Sequence, residues 1–358
     1  MRRRHLLSTA AVATAGVAAP AVAQATTRWT MVMPWPRNTP GVGVNAQRFA
    51  DRVQAMSGGR IEIKLYAAGE LVPPFQCFDA VQTGTAQVAH GTPYYWASKA
   101  PALQFFTTIP FGLTAPELAA WIYFGEGGKL WREIYEGFGV IPFYAGSSGV
   151  QAGGWFRKEI NTVDDLKGLK FRIAGLGAEV MRKLGAAPVT TPPGEIIQNL
   201  LTGAIDAAEW IGPWNDRAFG LQKVAKFYYV PAFHEPGPGL EVMVNKAAFD
   251  QLTPDLKAIV EAAALAATSE TYADFVYHNI EAFEPLVAQD KVELRTFPDE
   301  VVRAMGRATM EVLDELAASN EIAKRAHDSF RSFLAKADAY GQRFDLRLLE
   351  MRRLVLQG

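Results

Sequence analysis

One cysteine, Cys77, is all the thiol chemistry available in 358 residues. A lone thiol cannot close an intramolecular disulfide, build a CxxC redox centre or anchor a cysteine zinc cluster, so Cys77 reads as a small apolar residue. Long hydrophobic runs are scarce as well: past the N-terminal segment no stretch reaches the roughly 18 apolar residues of a membrane span. Charge of one sign is not in excess, with 36 basic and 37 acidic side chains. Lysine and arginine are nowhere gathered into the basic face that a phosphate backbone demands, which excludes nucleic acid as the partner. Catalytic signatures are missing too. There is no HExxH, no Walker phosphate loop and no GxSxG elbow. Gly175-Leu176-Gly177-Ala178-Glu179-Val180 lacks the third small residue of a dinucleotide fingerprint. The five histidines, His5, His90, His234, His278 and His327, show no metal-ligand or nucleophile spacing.

What is present begins with an export signal. Arg2-Arg3-Arg4-His5-Leu6-Leu7 precedes an alanine-rich apolar run, Ala10 to Ala23. Ala21-Val22-Ala23 and Ala23-Gln24-Ala25 both fit small-x-small cleavage, so residues 1–25 read as a twin-arginine signal peptide cut near Ala23 or Ala25. Losing Arg2, Arg3 and Arg4 takes the formal charge from -1 to about -4. The remaining length, with 49% hydrophobic residues overall, suits two lobes of ordinary domain size.

The pattern is α/β. Arg28 to Met33 reads as a strand broken by Pro34-Trp35-Pro36, because proline lacks the amide a sheet needs. A helix follows with apolar residues at Phe49, Val53 and Met56, then Ile61 to Tyr66 alternates as the next strand. An internal echo supports two similar lobes. A helix end at Thr83-Gly84 leads to the small-residue strand Ala86 to Ala89, and one at Thr202-Gly203 leads to Ile205 to Ala208. Six residues past each glycine stands a polar side chain, His90 or Glu209, with proline and aromatics beyond. Leu169, Phe171 and Ile173 share one face of another strand and leave Lys170 and Arg172 on the other. After Thr253-Pro254 the chain is strongly helical, apart from a short strand at Val292 to Leu294, with a break expected near Gly341. The tail from Phe344 to Leu356 is densely apolar, suited to a partner subunit or to packing on its own lobe.

Polar and aromatic residues gather at loop positions in the middle third. Gly146-Ser147-Ser148-Gly149-Val150-Gln151 offers backbone that can approach a ligand closely. Arg172 carries a planar fork able to grip a carboxylate. Glu209 directly precedes Trp210, and Glu235 sits in His234-Glu235-Pro236-Gly237. A site holding Arg172, Glu209, Glu235 and an anionic ligand has three negative groups against one positive, so burying it calls for a cation. Glutamate oxygens, the Gln151 amide and backbone carbonyls suit sodium, calcium or magnesium better than zinc or copper. A 2-oxo acid chelates such an ion through a carboxylate oxygen and its keto oxygen. Tyr95, Trp96, Trp210 and Trp214 supply apolar walls.

These segments together resemble the periplasmic solute-binding subunits of TRAP transporters, in the branch that binds 2-oxo acids such as pyruvate. The resemblance runs through Ala67 to Pro74, Tyr94-Tyr95-Trp96, Gly149 to Lys158, Leu169 to Ile173, Ile205 to Asn215 and Phe233 to Pro236. It implies a two-lobed periplasmic binding protein with doubly wound sheets, a long connecting helix and a helical C-terminus. The implied division is 26–148 with a return at about 238–285 for lobe I, 149–237 with a return at about 286–340 for lobe II, and 341–358 as a C-terminal helix that pairs two copies. The implied roles are a carboxylate clamp at Arg172, and an ion site of Gln151, Glu209, the Trp210 carbonyl and Glu235. Ligand contacts from Tyr95, Trp96, Trp210, Trp214 and Asn215 complete the set. Sodium is the expected ion and calcium the alternative. The expected partner is a TRAP membrane permease, and the expected role is transport without catalysis. An exported metal-dependent enzyme on small carboxylates, a lactate-binding member of the same family, and a periplasmic sensor are the rival readings.

Overall fold

A computed structural model describes residues 26–357; the signal segment expected at 1–25 lies outside them. Among the described residues, eleven strands build two sheets. In chain order they are β1 (Thr27–Val32), β2 (Ile61–Tyr66), β3 (Val88–Gly91), β4 (Val140–Ser147), β5 (Gly154–Phe156), β6 (Lys170–Arg172), β7 (Ala187–Val189), β8 (Ala207–Ala208), β9 (Phe227–Tyr229), β10 (Gly239–Asn245) and β11 (Glu293–Arg295). Alternation fixes the faces. In β2, Ile61, Ile63 and Leu65 are buried while Lys64 faces solvent. The helix Val42–Met56 buries Val42, Ala46, Phe49, Ala50 and Val53 along one side and stops at Gly58 and Gly59, both at positive φ.

The first sheet runs β2-β1-β3-β10-β4 and the second β7-β6-β8-β5-β9-β11. In each, three parallel strands are followed by one antiparallel strand and then a strand antiparallel to it. The order repeats because each lobe receives its antiparallel strand from the other. β4 in the first lobe feeds β5 in the second, and β9 in the second feeds β10 in the first. These two crossings lie side by side: the Gln151 amide donates to the Glu235 carbonyl at 3.1 Å, and the Ala232 amide to the Gln151 carbonyl at 2.9 Å. Gly237 permits the tight return, since a Cβ there would lie 2.1 Å from the Ala115 nitrogen.

A third connection is the helix Pro254–Glu284, which packs on β4 and the helix Val42–Met56 at one end and on the helix Pro213–Phe219 at the other. Its buried residues, Leu256, Val260, Ala263, Ala264, Ala267, Thr271 and Phe275, recur at helical spacing. The helix Asp299–Ala318 then packs on Gly175–Lys183 in the second lobe.

Two expectations need correction. The chain does not stay with the second lobe to residue 340. Asn320 caps a new helix, Glu321–Gly341, by accepting the Ala323 amide at 2.8 Å. This helix returns to the first lobe, where Phe330 packs on Phe105 and Trp121 and Arg325 pairs with Glu133. Nor does Gly341 break the helix. It keeps helical dihedrals (φ −57°), the next five residues widen into a π turn, and the rod continues as Arg347–Leu356. Among the described residues no helix is long and apolar enough to cross a membrane.

Candidate functional site

The carboxyl ends of the parallel strands from both sheets converge, together with the two crossings, on one small cavity. Trp35 follows β1, Thr92, Tyr94 and Tyr95 follow β3, Trp210 and Ile211 follow β8, and Ser148, Gln151 and Glu235 come from the crossings. Strand ends are where open α/β sheets bind ligands, because loops can vary there without disturbing the sheet.

The charged groups belong to the second lobe and its crossing. Arg172 ends β6 and is 1% exposed, as is Glu209, one residue beyond β8. Their backbones are joined, the Glu209 amide donating to the Arg172 carbonyl at 3.0 Å. The guanidinium pairs with the Glu209 carboxylate, donates to the Glu209 carbonyl at 2.8 Å and reaches the Thr191 carbonyl at 3.3 Å. It also lies 5.9 Å from the centre of the Trp210 ring, a cation–π contact. Glu235 and His234 are 2% and 1% exposed. Atoms of Glu209, His234 and Glu235 that can ligate an ion lie within 4.8 Å of one another. Burial and then the Glu209 charge push the Glu235 carboxyl well above the usual carboxylate range, partly opposed by Arg172 and Tyr94.

Gln151 is oriented for the same spot. Its amide nitrogen donates to Ser148 Oγ at 2.8 Å, leaving Oε1 buried without a protein partner, and Glu235 Oε1 is equally unpartnered. Buried oxygens without donors are costly unless another group satisfies them. Carboxylates and amide oxygens are hard ligands, so the donor set fits sodium or calcium.

The aromatic wall differs from the expected one. Residues Pro93–Trp96 form a 3-10 turn, in which the first and fourth residues eclipse. Pro93 and Trp96 therefore both turn into the core, and the Trp96 indole donates to Glu241 at 2.6 Å. Tyr94 and Tyr95 face the cavity instead, and burial raises the Tyr95 hydroxyl to about 12. Trp214 and Asn215 do not line the cavity either. Pro213 starts a helix just beyond Trp210, and its first turn carries both side chains elsewhere. The Trp214 ring stacks on His278 at 4.2 Å, and Asn215 Nδ2 donates across the lobes to the Pro40 carbonyl at 2.7 Å.

Sequence reasoning missed Trp35, Tyr94, Ser148 and His234. Trp35 and Tyr94 could have been found by treating every parallel strand end as a contributor. His234 shows no ligand spacing because its neighbour in space, Glu209, is 25 residues away in sequence.

Comparison with known proteins agrees with this architecture. Residues 31–320 match the DctP family, described as bacterial extracellular solute-binding protein, family 7. The chain is 41% identical over 352 residues to the monocarboxylate 2-oxoacid-binding periplasmic protein of Nostoc sp. strain PCC 7120, covering 96% of each. A TRAP periplasmic solute-binding protein from Pseudoalteromonas atlantica T6c, solved with sodium and pyruvate, aligns with a TM-score of 0.88 at 39% identity, over 91% of this chain and 99% of that one. One from Bordetella bronchiseptica RB50, a mixed-occupancy dimer with copurified calcium and picolinate, gives 0.90 at 35% identity, over 93% and 99%. A family match across most of the chain and close relatives over nearly all of it make this protein a member of the DctP family of TRAP solute-binding proteins.

Proposed function

We propose that the protein is the exported receptor of a TRAP transporter, binding a small 2-oxo monocarboxylate such as pyruvate together with a cation and delivering it to the membrane permease. The observation that carries this reading is a cavity that holds the unpartnered oxygens of Gln151 and Glu235, with the buried Arg172–Glu209 pair directly behind its Trp210 wall. Arg172 would hold the ligand carboxylate. Glu209, Glu235, Gln151 Oε1 and the Trp210 carbonyl would hold the cation, which supplies charge neutralisation and a chelation point for the keto oxygen. Tyr94, Tyr95 and Trp210 exclude water and limit ligand size.

The bound molecules of the relatives support the chelate. Pyruvate and picolinate share a carboxylate with a second donor atom on the adjacent carbon. Sodium is the proposed ion and calcium its alternative, since both ions accompany a ligand among the solved relatives. Titration calorimetry with pyruvate, longer 2-oxo acids and lactate tests the reading: one site per chain is expected, dependent on sodium or calcium, with 2-oxo acids preferred. Absence of binding to every 2-oxo acid would reject it. Product formation on incubation with pyruvate would favour the exported metal-dependent enzyme.

The same proposal extends to assembly and export. Phe344, Leu346, Leu348, Leu349, Leu354 and Leu356 are all at least half exposed on the C-terminal rod. A second copy covers this surface in our reading, and one relative crystallised as a dimer. Light scattering should then show a dimer that Leu354→Glu converts to monomer; a monomeric parent protein would refute it. Export is assigned to the twin-arginine route, and replacing Arg3 and Arg4 by lysine should leave precursor in the cytoplasm.

A further inference from the structure

Arg172 has three acceptors in the structure, and two are backbone carbonyls, those of Glu209 and Thr191. These hold the guanidinium in place whichever way the Glu209 side chain points. The Glu209 carboxylate is the one ion-pair partner of Arg172 among the described residues. Its other oxygen, Oε2, stands 3.8 Å from His234 Nε2, on the side where Glu235 also offers a ligand atom. Glu209 thus sits between a group that grips anions and a set of atoms that ligates cations. Gln151 Oε1 and Glu235 Oε1, on residues more than nine-tenths buried, have no protein partner there.

We propose that Glu209 is a hand-off residue that couples anion and cation binding. The ligand carboxylate takes its place on Arg172, and Glu209 turns to the cation. The inference rests on the proposed binding of a 2-oxo acid with a cation and adds how the two are linked. An anion arriving alone either strips Glu209 from Arg172, leaving a buried carboxylate unpaired near Glu235, or shares the guanidinium with it against like-charge repulsion. A cation arriving alone draws Glu209 away and leaves Arg172 without a charged partner, held only by carbonyl dipoles and the Trp210 ring. When both arrive, one buried ion pair is exchanged for two, so each ligand tightens the other by the same factor.

The test is calorimetric titration of wild type and Glu209→Gln with pyruvate, in chelated sodium-free buffer and again with sodium or calcium. Wild type should gain at least about 10-fold in pyruvate affinity from the cation, within the usual range for coupled sites. Glu209→Gln removes the competitor from Arg172, so without cation it should bind pyruvate more tightly than wild type, and cation should improve it by less than about 3-fold. A residue that merely ligates the ion predicts a variant no better than wild type in cation-free buffer, and that result would overturn the hand-off. Equal wild-type affinities with and without cation would overturn it too, while leaving 2-oxo-acid binding intact. No pyruvate binding in either buffer would instead sink the functional reading beneath it. Should Glu209→Gln not fold, Glu209→Ala frees Arg172 in the same way and should bind pyruvate more tightly than wild type in cation-free buffer; affinity at or below wild type rejects the proposal.

Discussion

The two lobes use one topology for different chemistry. Register makes the comparison position by position. Val32 pairs with Ala89 across β1 and β3, and Arg172 pairs with Ala208 across β6 and β8. Val32 therefore occupies in the first lobe the place of Arg172 in the second, and His90 occupies that of Glu209. Burial draws the His90 imidazole down to about 3, so it is neutral, and its Nδ1 accepts the Trp35 indole at 3.1 Å. The first lobe thus lines the cavity with neutral aromatic surface, while the second brings the fixed charges. In the proposed binding mode, concentrating charge on one lobe would give an anion a preformed half-site on that lobe.

The largest expected effect contrasts the two equivalent positions. Arg172→Ala should weaken pyruvate binding by at least about 100-fold, roughly 3 kcal/mol, as truncation of a buried charge partner does. Val32→Ala should cost about 1–3 kcal/mol of stability through the cavity it leaves and change affinity less than about 3-fold. Calorimetry beside thermal unfolding reads both. Comparable affinity losses at the two positions would dissolve the division of labour between the lobes.

Below the cavity the lobes are alike. Glu241 accepts the Trp96 indole at 2.6 Å and the Tyr135 hydroxyl at 2.7 Å. Asp216 accepts the Trp155 indole and the Tyr228 hydroxyl, both at 2.9 Å, and also the Ile211 amide at 3.1 Å. Burial raises each carboxyl to about 7 against its hydrogen bonds. Between the ordinary carboxylate range and that value the folded state holds a proton the unfolded chain has released. Stability therefore falls as pH rises through this window, by on the order of 3 kcal/mol per group. Glu241→Gln should leave stability near pH 5 unchanged and raise it near pH 8, flattening the urea-midpoint profile. An unaltered profile would mean that Glu241 is ionised throughout the window.

Much of this was legible where periodicity or repetition carries the signal. Alternation in Ile61 to Tyr66 and Leu169 to Ile173 marked two strands and singled out Arg172. The matching Thr-Gly helix ends anticipated the repeated sheet order. What was not legible depends on phase and on distance in sequence. Composition makes Tyr94, Tyr95 and Trp96 equivalent, and only the 3-10 turn decides that Trp96 faces the core. A glycine at 341 reads as a stop, yet with helical dihedrals the rod passes through it. The return of Glu321–Gly341 to the first lobe depends on Phe330 finding Phe105 and Trp121, a contact no local pattern encodes.

The smallest expected effect concerns how the lobes hold together. Asn215 is fully buried, and its bond to the Pro40 carbonyl joins the second lobe to the first. We expect opening of the cleft to break that bond, which would make it a latch indifferent to the ligand. Asn215→Ala should then lower affinity by about 5–10-fold, the worth of one hydrogen bond, chiefly through faster release. The loss should be the same for pyruvate and for longer 2-oxo acids, because a latch does not sense chain length. Were Asn215 to touch the ligand itself, the loss would vary with the ligand, and stopped-flow release rates for a series of 2-oxo acids separate the two cases.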